Sequence, residues 1–317
     1  MPITIPQFSY PPQEVSWLKR DALLFANSIG CRADGELHFL YELHPNFQVF
    51  PTYPIVLTFK HTSPSTIDFL SRNASRTLPP GCPKLDWAVA VDGRRRMTFH
   101  RPLPPTSQGK TWEIHSRVLG AFDKGPGKGT VMELEHVLRE RGSGEVYTRA
   151  WETNKPRNGM GAGPKIIRYP PPASARGPDA DATFQTNEQT AHLYRLNGDY
   201  NPLHATPEPG QSLGYGGVIM HGLFSWNVAA QAILSRYGGS QGSNLRDFEA
   251  RFAAPVRPGD KLDIHMWDMG MVEADVGDGN ERVTEIRFMV KVGERIVLSD
   301  GRALLSGKHQ KSNGSKL

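Results

Sequence analysis

The sequence predicts an α+β fold made of two copies of one unit, in which a helix packs on an antiparallel sheet. Each half of the chain has a helical segment and several strand-like runs separated by turn residues. The segment FHRPLPPTSQGKTWEI at 99–114 also resembles FAAPVRPGDKLDI at 252–264, since each has an aromatic residue, prolines, a turn and a strand. Two copies of one unit explain both this similarity and the length of 317 residues.

The first half contains one predicted helix and four predicted strands. The helical segment SWLKRDALLFANSIG is predicted to start at Ser16, and the apolar run FQVFPTYPIVLTF follows it. The strand patterns are RMTFHRPLP, TWEIHSRVLGAF, GTVMELEHVLRERG and EVYTRAWET.

The second half contains two predicted helices and four predicted strands. The segment TNEQTAHLYRL has Thr186 as its predicted cap, with Gln189 as capping-box partner, and should end near Asn197-Gly198. Residues 219–236 have apolar residues at helical spacing, which predicts a long buried helix that opens near His221-Gly222. The strand patterns that follow are LRDFEARFAAPV, KLDIHMWDM, TEIRFMVKV and ERIVLSDGRALL.

A loose segment separates the two halves. Residues 154–182 are rich in Gly, Pro and small residues without periodicity, which predicts a linker between repeats at 1–153 and 183–307. The polar tail, 308–317, ends in Ser315-Lys316-Leu317, the peroxisomal address that an import receptor reads. We therefore predict localisation in the peroxisome and the import receptor as a partner.

The composition narrows the class of protein. The chain is 38% apolar and 22% charged, as is usual for a globular protein. Its net charge of +5 comes from scattered basic residues, which disfavours nucleic-acid binding but suits a substrate with phosphates. No apolar run approaches the ~18 residues of a membrane helix, so no membrane insertion is expected. The two cysteines, Cys31 and Cys82, and the spacing of the histidines indicate no metal site.

The run YRLNGDYNPLH at 194–204 places Asp199, Asn201 and His204 in a turn after a helix. An acid and an imidazole that share one water molecule can remove a proton from it and deliver another to carbon. Asn201 would orient the water or bind a carbonyl. Gly222, at the start of the apolar helix, leaves room for a substrate beside backbone N–H groups, which stabilise an enolate. The pattern indicates addition or removal of water at an activated double bond.

The residue types alone leave a second interpretation open. Turns use Gly, Asp, Asn and Pro freely, so Asp199 and Asn201 could be plain turn residues and His204 a surface histidine.

The run from Tyr194 to His204, together with Met220-His221-Gly222-Leu223, resembles the signature of the type-2 enoyl-CoA hydratases, the MaoC-like group. The resemblance is strong over 184–306 and weaker in the first half. It implies a tandem hot-dog fold, in which a sheet wraps around a helix, and a homodimer without metal or organic cofactor. It also implies a hydro-lyase that converts trans-2-enoyl-CoA to (3R)-3-hydroxyacyl-CoA reversibly, with an acyl-CoA thioester as substrate.

The resemblance also implies roles for single residues. Asp199 and His204 would be the catalytic pair, Asn201 a supporting group, and the Gly222 N–H the donor to the thioester oxygen. Further expected substrate contacts are Gly93, Lys124, Tyr200, Pro202, Leu203 and Phe252. Glu42, at a position that is often acidic in the family, is interpreted as structural.

The first half departs from the family pattern, because Asp92-Gly93 stands where members usually have His-Gly. The acyl group is therefore open, and one alternative is a dehydratase that acts on an unusual acyl-CoA in a peroxisomal biosynthetic pathway. A hot-dog acyl-CoA thioesterase is another alternative, and a binding module that has lost activity is a third.

Overall fold

The computed structural model describes residues 8–74, 79–80, 91–123, 130–155, 167–173, 176–277 and 279–307. The predicted contact Lys124 and the targeting residues Ser315, Lys316 and Leu317 lie outside these ranges. The α-helices are α1 (Lys19–Ser28), α2 (Ala33–Leu40), α3 (Leu57–Lys60), α4 (Phe69–Ala74), α5 (Glu188–Arg195), α6 (Pro207–Ser212) and α7 (Gly222–Tyr237). The strands are β1 (Phe8–Ser9), β2 (Gln13–Val15), β3 (Val91–Phe99), β4 (Trp112–Asp123), β5 (Thr130–Glu140), β6 (Val146–Lys155), β7 (Ala180–Gln185), β8 (Leu245–Phe252), β9 (Lys261–Asp275), β10 (Asn280–Val292) and β11 (Arg295–Leu305).

All eleven strands form one antiparallel sheet. Its order is β1-β4-β5-β6-β3-β8-β11-β10-β9-β7, and β2 also pairs with β4. The two halves meet where β3 pairs with β8, in a register that runs from Arg94 opposite Arg251 to Thr98 opposite Asp247. The eight predicted strands are confirmed. The boundaries of the two repeats and the linker stay predictions.

The predicted long buried helix is confirmed as α7, and it forms the centre of the second half. Eleven of its sixteen residues are buried, as expected of a helix that is apolar on all sides. It packs against the strands of its own half, β7 to β11. Of the helices in the described ranges, none is both long and apolar enough to cross a membrane.

Two predicted helix starts are wrong, and tertiary hydrogen bonds are the reason in both. Helix α1 begins after Leu18 rather than at Ser16, because the backbone of Ser16 donates to the carbonyl of His61 and holds this segment extended. The cap of α5 is Asn187, whose side chain accepts the N–H of Gln189 at 2.9 Å. The hydroxyl of Thr186 instead donates to the carbonyl of Asp260 at 2.6 Å.

A buried carboxylate holds the junction between the halves. Asp247 on β8 is fully buried and accepts hydrogen bonds from Arg96 Nε at 2.9 Å and Thr98 Oγ1 at 2.7 Å, both on β3. Burial raises the pKa of Asp247 to about 6, and Arg96 opposes this rise. The two halves are therefore joined by these side-chain hydrogen bonds as well as by the backbone pairing of β3 with β8.

Candidate active site

The segment after α5 is shaped by Gly198 and by two successive side-chain turns. Gly198 has φ +125°, and a Cβ there would lie 2.9 Å from the backbone of Lys60, so only glycine fits. Asp199 Oδ1 accepts the N–H of Asn201 at 3.2 Å, and Asn201 Oδ1 accepts the N–H of Leu203 at 3.0 Å. Asn201 thereby begins the short 3-10 turn Pro202–His204. Its side-chain oxygen serves the turn.

The turn delivers His204 into the protein interior, so the interpretation of His204 as a surface histidine is wrong. Its side chain is buried, and Nδ1–H donates to the carbonyl of Ile219 at 2.8 Å. A carbonyl can only accept, so this bond places the proton on Nδ1 and leaves Nε2 as an acceptor. His204 thus presents a basic nitrogen.

Burial controls the protonation of the predicted pair. It raises the pKa of Asp199, which the neighbouring His204 opposes, and it lowers the pKa of His204, which Asp199 opposes. Because burial is the larger cause for each group, both are driven toward their neutral forms. A neutral acid beside a neutral base can pass a proton in either direction, as reversible water addition requires.

The start of α7 lies beside this pair and has Gly222 as its first residue. A Cβ at Gly222 would lie 3.0 Å from the ring of Phe252, which is tighter than ordinary packing. Phe252, the last residue of β8, therefore covers the helix start, and a side chain on residue 222 would displace the ring or the helix. The structure brings these two predicted site residues together.

His221, which the sequence reasoning did not assign to the site, joins the two parts. Its ring stacks on that of His204, with centroids 3.6 Å apart and an interplanar angle of 28°. Its Nε2–H donates to the main-chain carbonyl of Asp199 at 3.0 Å. The motif Met220-His221-Gly222 contained this signal, but the sequence analysis used it to place the helix start and to support the family resemblance, and gave His221 no role.

Comparison with known proteins gives the family. Residues 172–288 match the family model of the MaoC like domain, and residues 16–151 match that of the MFE-2 hydratase 2 N-terminal domain. The chain is 67% identical over 311 residues to "Probable dehydratase NIT22" of Ajellomyces capsulatus, an alignment that covers 96% of this chain and 82% of that protein. It is 31% identical to "3-hydroxyacyl-thioester dehydratase Y" of Mycobacterium tuberculosis, over 92% of this chain and 93% of that protein. The chain belongs to the MaoC-like hydratase and dehydratase family. It is therefore an enzyme of the hydro-lyase class.

Solved structures of the family show the same fold. A MaoC-like dehydratase from Phytophthora capsici superposes with a TM-score of 0.80 at 29% identity, over 96% of this chain and 97% of that chain. A Mycobacterium tuberculosis protein described as a double hot-dog fold superposes with a TM-score of 0.56 at 17% identity, over 95% and 96% of the two chains. The predicted tandem hot-dog fold is confirmed.

The other described residues that were predicted for this MaoC-like site lie on β3 and in the segment just before His204. Gly93 lies at a bulge of β3, beside Arg94, and Arg94 pairs with Arg251, the residue before Phe252 at the end of β8. The guanidinium carbon of Arg195 lies over the ring of Tyr200, 5.2 Å from the ring centroid. Pro202 and Leu203 form the 3-10 turn with His204 and shape the loop. Glu42 is exposed on the first half.

Sequence reasoning did not predict the charge cluster that the partly exposed Asp92 forms with the buried Arg95 and Glu152. Arg95 lies on the face of β3 that also carries the buried Met97, so it points into the core. Its guanidinium pairs with Glu152 and donates to Asp92 Oδ1 at 2.9 Å. Asp92 stands where family members usually have histidine. Its negative charge adds to the rise in the pKa of Asp199 and opposes the fall in the pKa of His204.

Asp199, His204 and His221 are also the one group in the described ranges that could hold a metal ion, since their ligand atoms lie within 4.8 Å of one another. The geometry does not suit one. Imidazole nitrogens bind metals in the plane of the ring, and these two rings are stacked nearly parallel. The nearly parallel rings therefore disfavour one metal ion shared by both histidines.

Proposed function

We propose that this enzyme adds water reversibly to a trans-2-enoyl-CoA and forms the (3R)-3-hydroxyacyl-CoA. The observation that carries the proposal is the pair of the partly buried Asp199 and the buried His204 beside the start of α7 at Gly222. The names of two relatives support the substrate class: the thioester dehydratase of Mycobacterium tuberculosis and the "Probable enoyl-CoA hydratase 2" of Dictyostelium discoideum.

In the proposed reaction, one water molecule is divided between the two carbons of the double bond. Its oxygen bonds to C3 as one member of the pair takes a proton from it, and the other member gives a proton to C2. As the oxygen adds to C3, the electron pair of the double bond moves toward the thioester and forms an enolate. The negative charge on its thioester oxygen is stabilised by the N–H of Gly222 and the positive end of α7. Dehydration is the same sequence in reverse, and both directions use the pair equally.

A dehydratase that acts on an unusual acyl-CoA in a peroxisomal biosynthetic pathway is the second candidate. The acidic Asp92 in the place of the usual histidine favours it, as does the word dehydratase in the name of the Ajellomyces capsulatus relative. The hot-dog thioesterase remains a further candidate, because one fold supports both chemistries.

The cell compartment and assembly are part of the proposal. The terminal Ser315-Lys316-Leu317 supports import into the peroxisome through its receptor. Relatives from Neurospora crassa and Mus musculus are named as peroxisomal enzymes, although this chain spans only 27% and 34% of their lengths. We also propose a homodimer without metal or organic cofactor, which light scattering and metal analysis of the purified protein would test.

The first experiment follows the loss of enoyl-thioester absorbance with crotonyl-CoA and a longer trans-2-enoyl-CoA, with chiral analysis of the product. The variants Asp199→Asn and His204→Ala should each lose at least about 100-fold in kcat, because each removes one proton-transfer partner. His192→Ala, on the exposed face of α5, is the matched control and should keep the wild-type rate.

Three outcomes separate the candidates. The hydratase is supported if the wild type forms the (3R)-hydroxy product and Asp199→Asn and His204→Ala lose most of the rate. Release of free thiol, measured in the same assay, supports the thioesterase instead. A folded wild type that reacts with neither substrate rules out ordinary straight-chain enoyl-CoA as substrate and favours the biosynthetic dehydratase.

A further inference from the structure

His221 is a buried histidine that contacts every part of the proposed catalytic site. We propose that it is a positioning residue, which fixes Asp199, His204 and the N–H of Gly222 in the arrangement that water addition needs. This inference rests on the proposed function. It adds to the site a residue that acts through its neighbours.

The first contact fixes Asp199. His221 Nε2–H donates to the main-chain carbonyl of Asp199 at 3.0 Å, and Nε2 lies 3.8 Å from the carboxylate oxygen Oδ2. The carbonyl only accepts, so the proton is on Nε2 and the lone pair is on Nδ1. Because the backbone of Asp199 is held at the carbonyl, the direction in which its carboxylate leaves the turn is held as well.

The second contact fixes His204. The bond from His204 Nδ1–H to Ile219 anchors one edge of that ring but leaves it free to tilt about the bond. His221 stacks on its face at 3.6 Å, and the ring of Tyr194 lies 5.2 Å from His221. The stack removes the tilt and directs His204 Nε2. Burial and the nearby His204 keep the pKa of His221 well below its usual value, so the supporting ring stays uncharged.

The third contact is through the chain itself. His221 precedes α7, and the peptide bond after it carries the N–H of Gly222. The side chain of His221 makes no capping bond to the helix. A ring anchored at Asp199 and His204 therefore sets the orientation of the N–H that faces the thioester oxygen.

One detail argues against a purely structural role. His221 is 2% exposed, and its Nδ1 has no hydrogen-bond donor among the described residues. An unsatisfied buried polar atom costs about 1–3 kcal/mol, which an apolar side chain of similar size would avoid. The cost is understandable if the N–H on the other side of the ring is needed.

The test compares variants of full-length protein in the hydration assay. His221→Phe keeps the aromatic ring but removes the donor, and His221→Gln restores an N–H donor with similar reach. We expect His221→Phe to lose about 10- to 100-fold in kcat with KM changed less than about threefold, and His221→Gln to recover most of the loss. His192→Phe, on the exposed face of α5, is the matched control.

The outcomes are distinguishable. Wild-type kcat in a folded His221→Phe overturns the inference, as does a folded His221→Gln that is as slow as His221→Phe. If His221→Phe does not fold, His221→Met replaces it as the variant without a donor, and equal rates for Gln and Met overturn the inference. If the wild type itself shows no hydration activity, the proposed function is wrong, and the inference falls with it.

Discussion

Asp92 is one of the residues through which the first half of the chain acts on the proposed catalytic pair. It is held to Arg95 by one carboxylate oxygen, and its side chain keeps 24% of its surface exposed. Its negative charge favours the protonated form of both Asp199 and His204. The position that departs from the family pattern thus affects the protonation of Asp199 and His204.

We therefore predict that Asp92→Asn moves the pH profile of kcat/KM to lower pH. Removal of the negative charge lowers the pKa of His204 and of Asp199. The nearby cations act in the same direction, since Arg95 lowers the pKa of Asp199 and Arg195 lowers that of His204. We expect a shift of about half a pH unit, measured from pH 5 to 9. Asp34→Asn, an exposed site on α2, should leave the profile in place. A shift to higher pH would contradict this assignment.

Gly222 carries the second prediction at this scale. Gly222→Val should reduce kcat by about 100-fold, because the added side chain meets the Phe252 ring at about 3.0 Å and turns the N–H away from the thioester oxygen. The melting temperature should be recorded alongside the rate. Unchanged kcat in a folded variant would remove Gly222 from the mechanism.

The sequence predicted those site residues that lie in one continuous motif. Asp199, Asn201 and His204 are within six residues, and their residue types state the chemistry. The same reasoning missed Arg95 and Glu152, because 57 residues separate them and only the pairing of β3 with β6 brings them together. It gave His221 no role because the sequence does not show that this ring stacks on that of His204.

At the scale of the elements, local patterns predicted the long strands and the helices reliably but not the residues at which the helices begin. Alternation and turn residues are local and predicted every long strand. A cap depends on what else its hydroxyl can reach, and Thr186 reaches Asp260, 74 residues away. The ends of α1 and α5 were therefore set by contacts that no local pattern encodes.

The pairing of β3 with β6 yields a prediction about stability. Glu152→Gln should lower the free energy of unfolding by about 3–5 kcal/mol, because it leaves the buried Arg95 without one of its two anionic partners. Glu281→Gln breaks the ion pair with Arg246 on a side chain that is 40% exposed, and should cost less than about 1 kcal/mol. Urea unfolding of both variants provides the measurement. Similar losses would show that burial of the pair has no such effect.

At the scale of the whole molecule, the joint between the halves should make stability depend on pH. Asp247 has a pKa of about 6 in the folded protein and near 3.8 when unfolded, so the folded state binds the proton more tightly. Its contribution is therefore present below pH 4 and is lost as the pH rises through 6, by about 3 kcal/mol in total.

We test this with the difference in unfolding free energy between the wild type and Asp247→Asn, because the other titrating groups cancel in the difference. The wild type should lose stability relative to the variant between pH 4 and pH 7. A difference that is flat across this range, or that has the opposite slope, would show that Asp247 titrates normally.

The shared sheet has a further consequence for how this chain can be divided. If the two repeats were made as separate polypeptides, the paired residues of β3, from Arg94 to Thr98, and those of β8, from Asp247 to Arg251, would each lose a neighbouring strand along one side. A long open edge of this kind recruits strands from other molecules and promotes aggregation. Covalent fusion of the repeats keeps each edge supplied with its proper neighbour at high local concentration, and so guards the newly made enzyme against self-association while it folds.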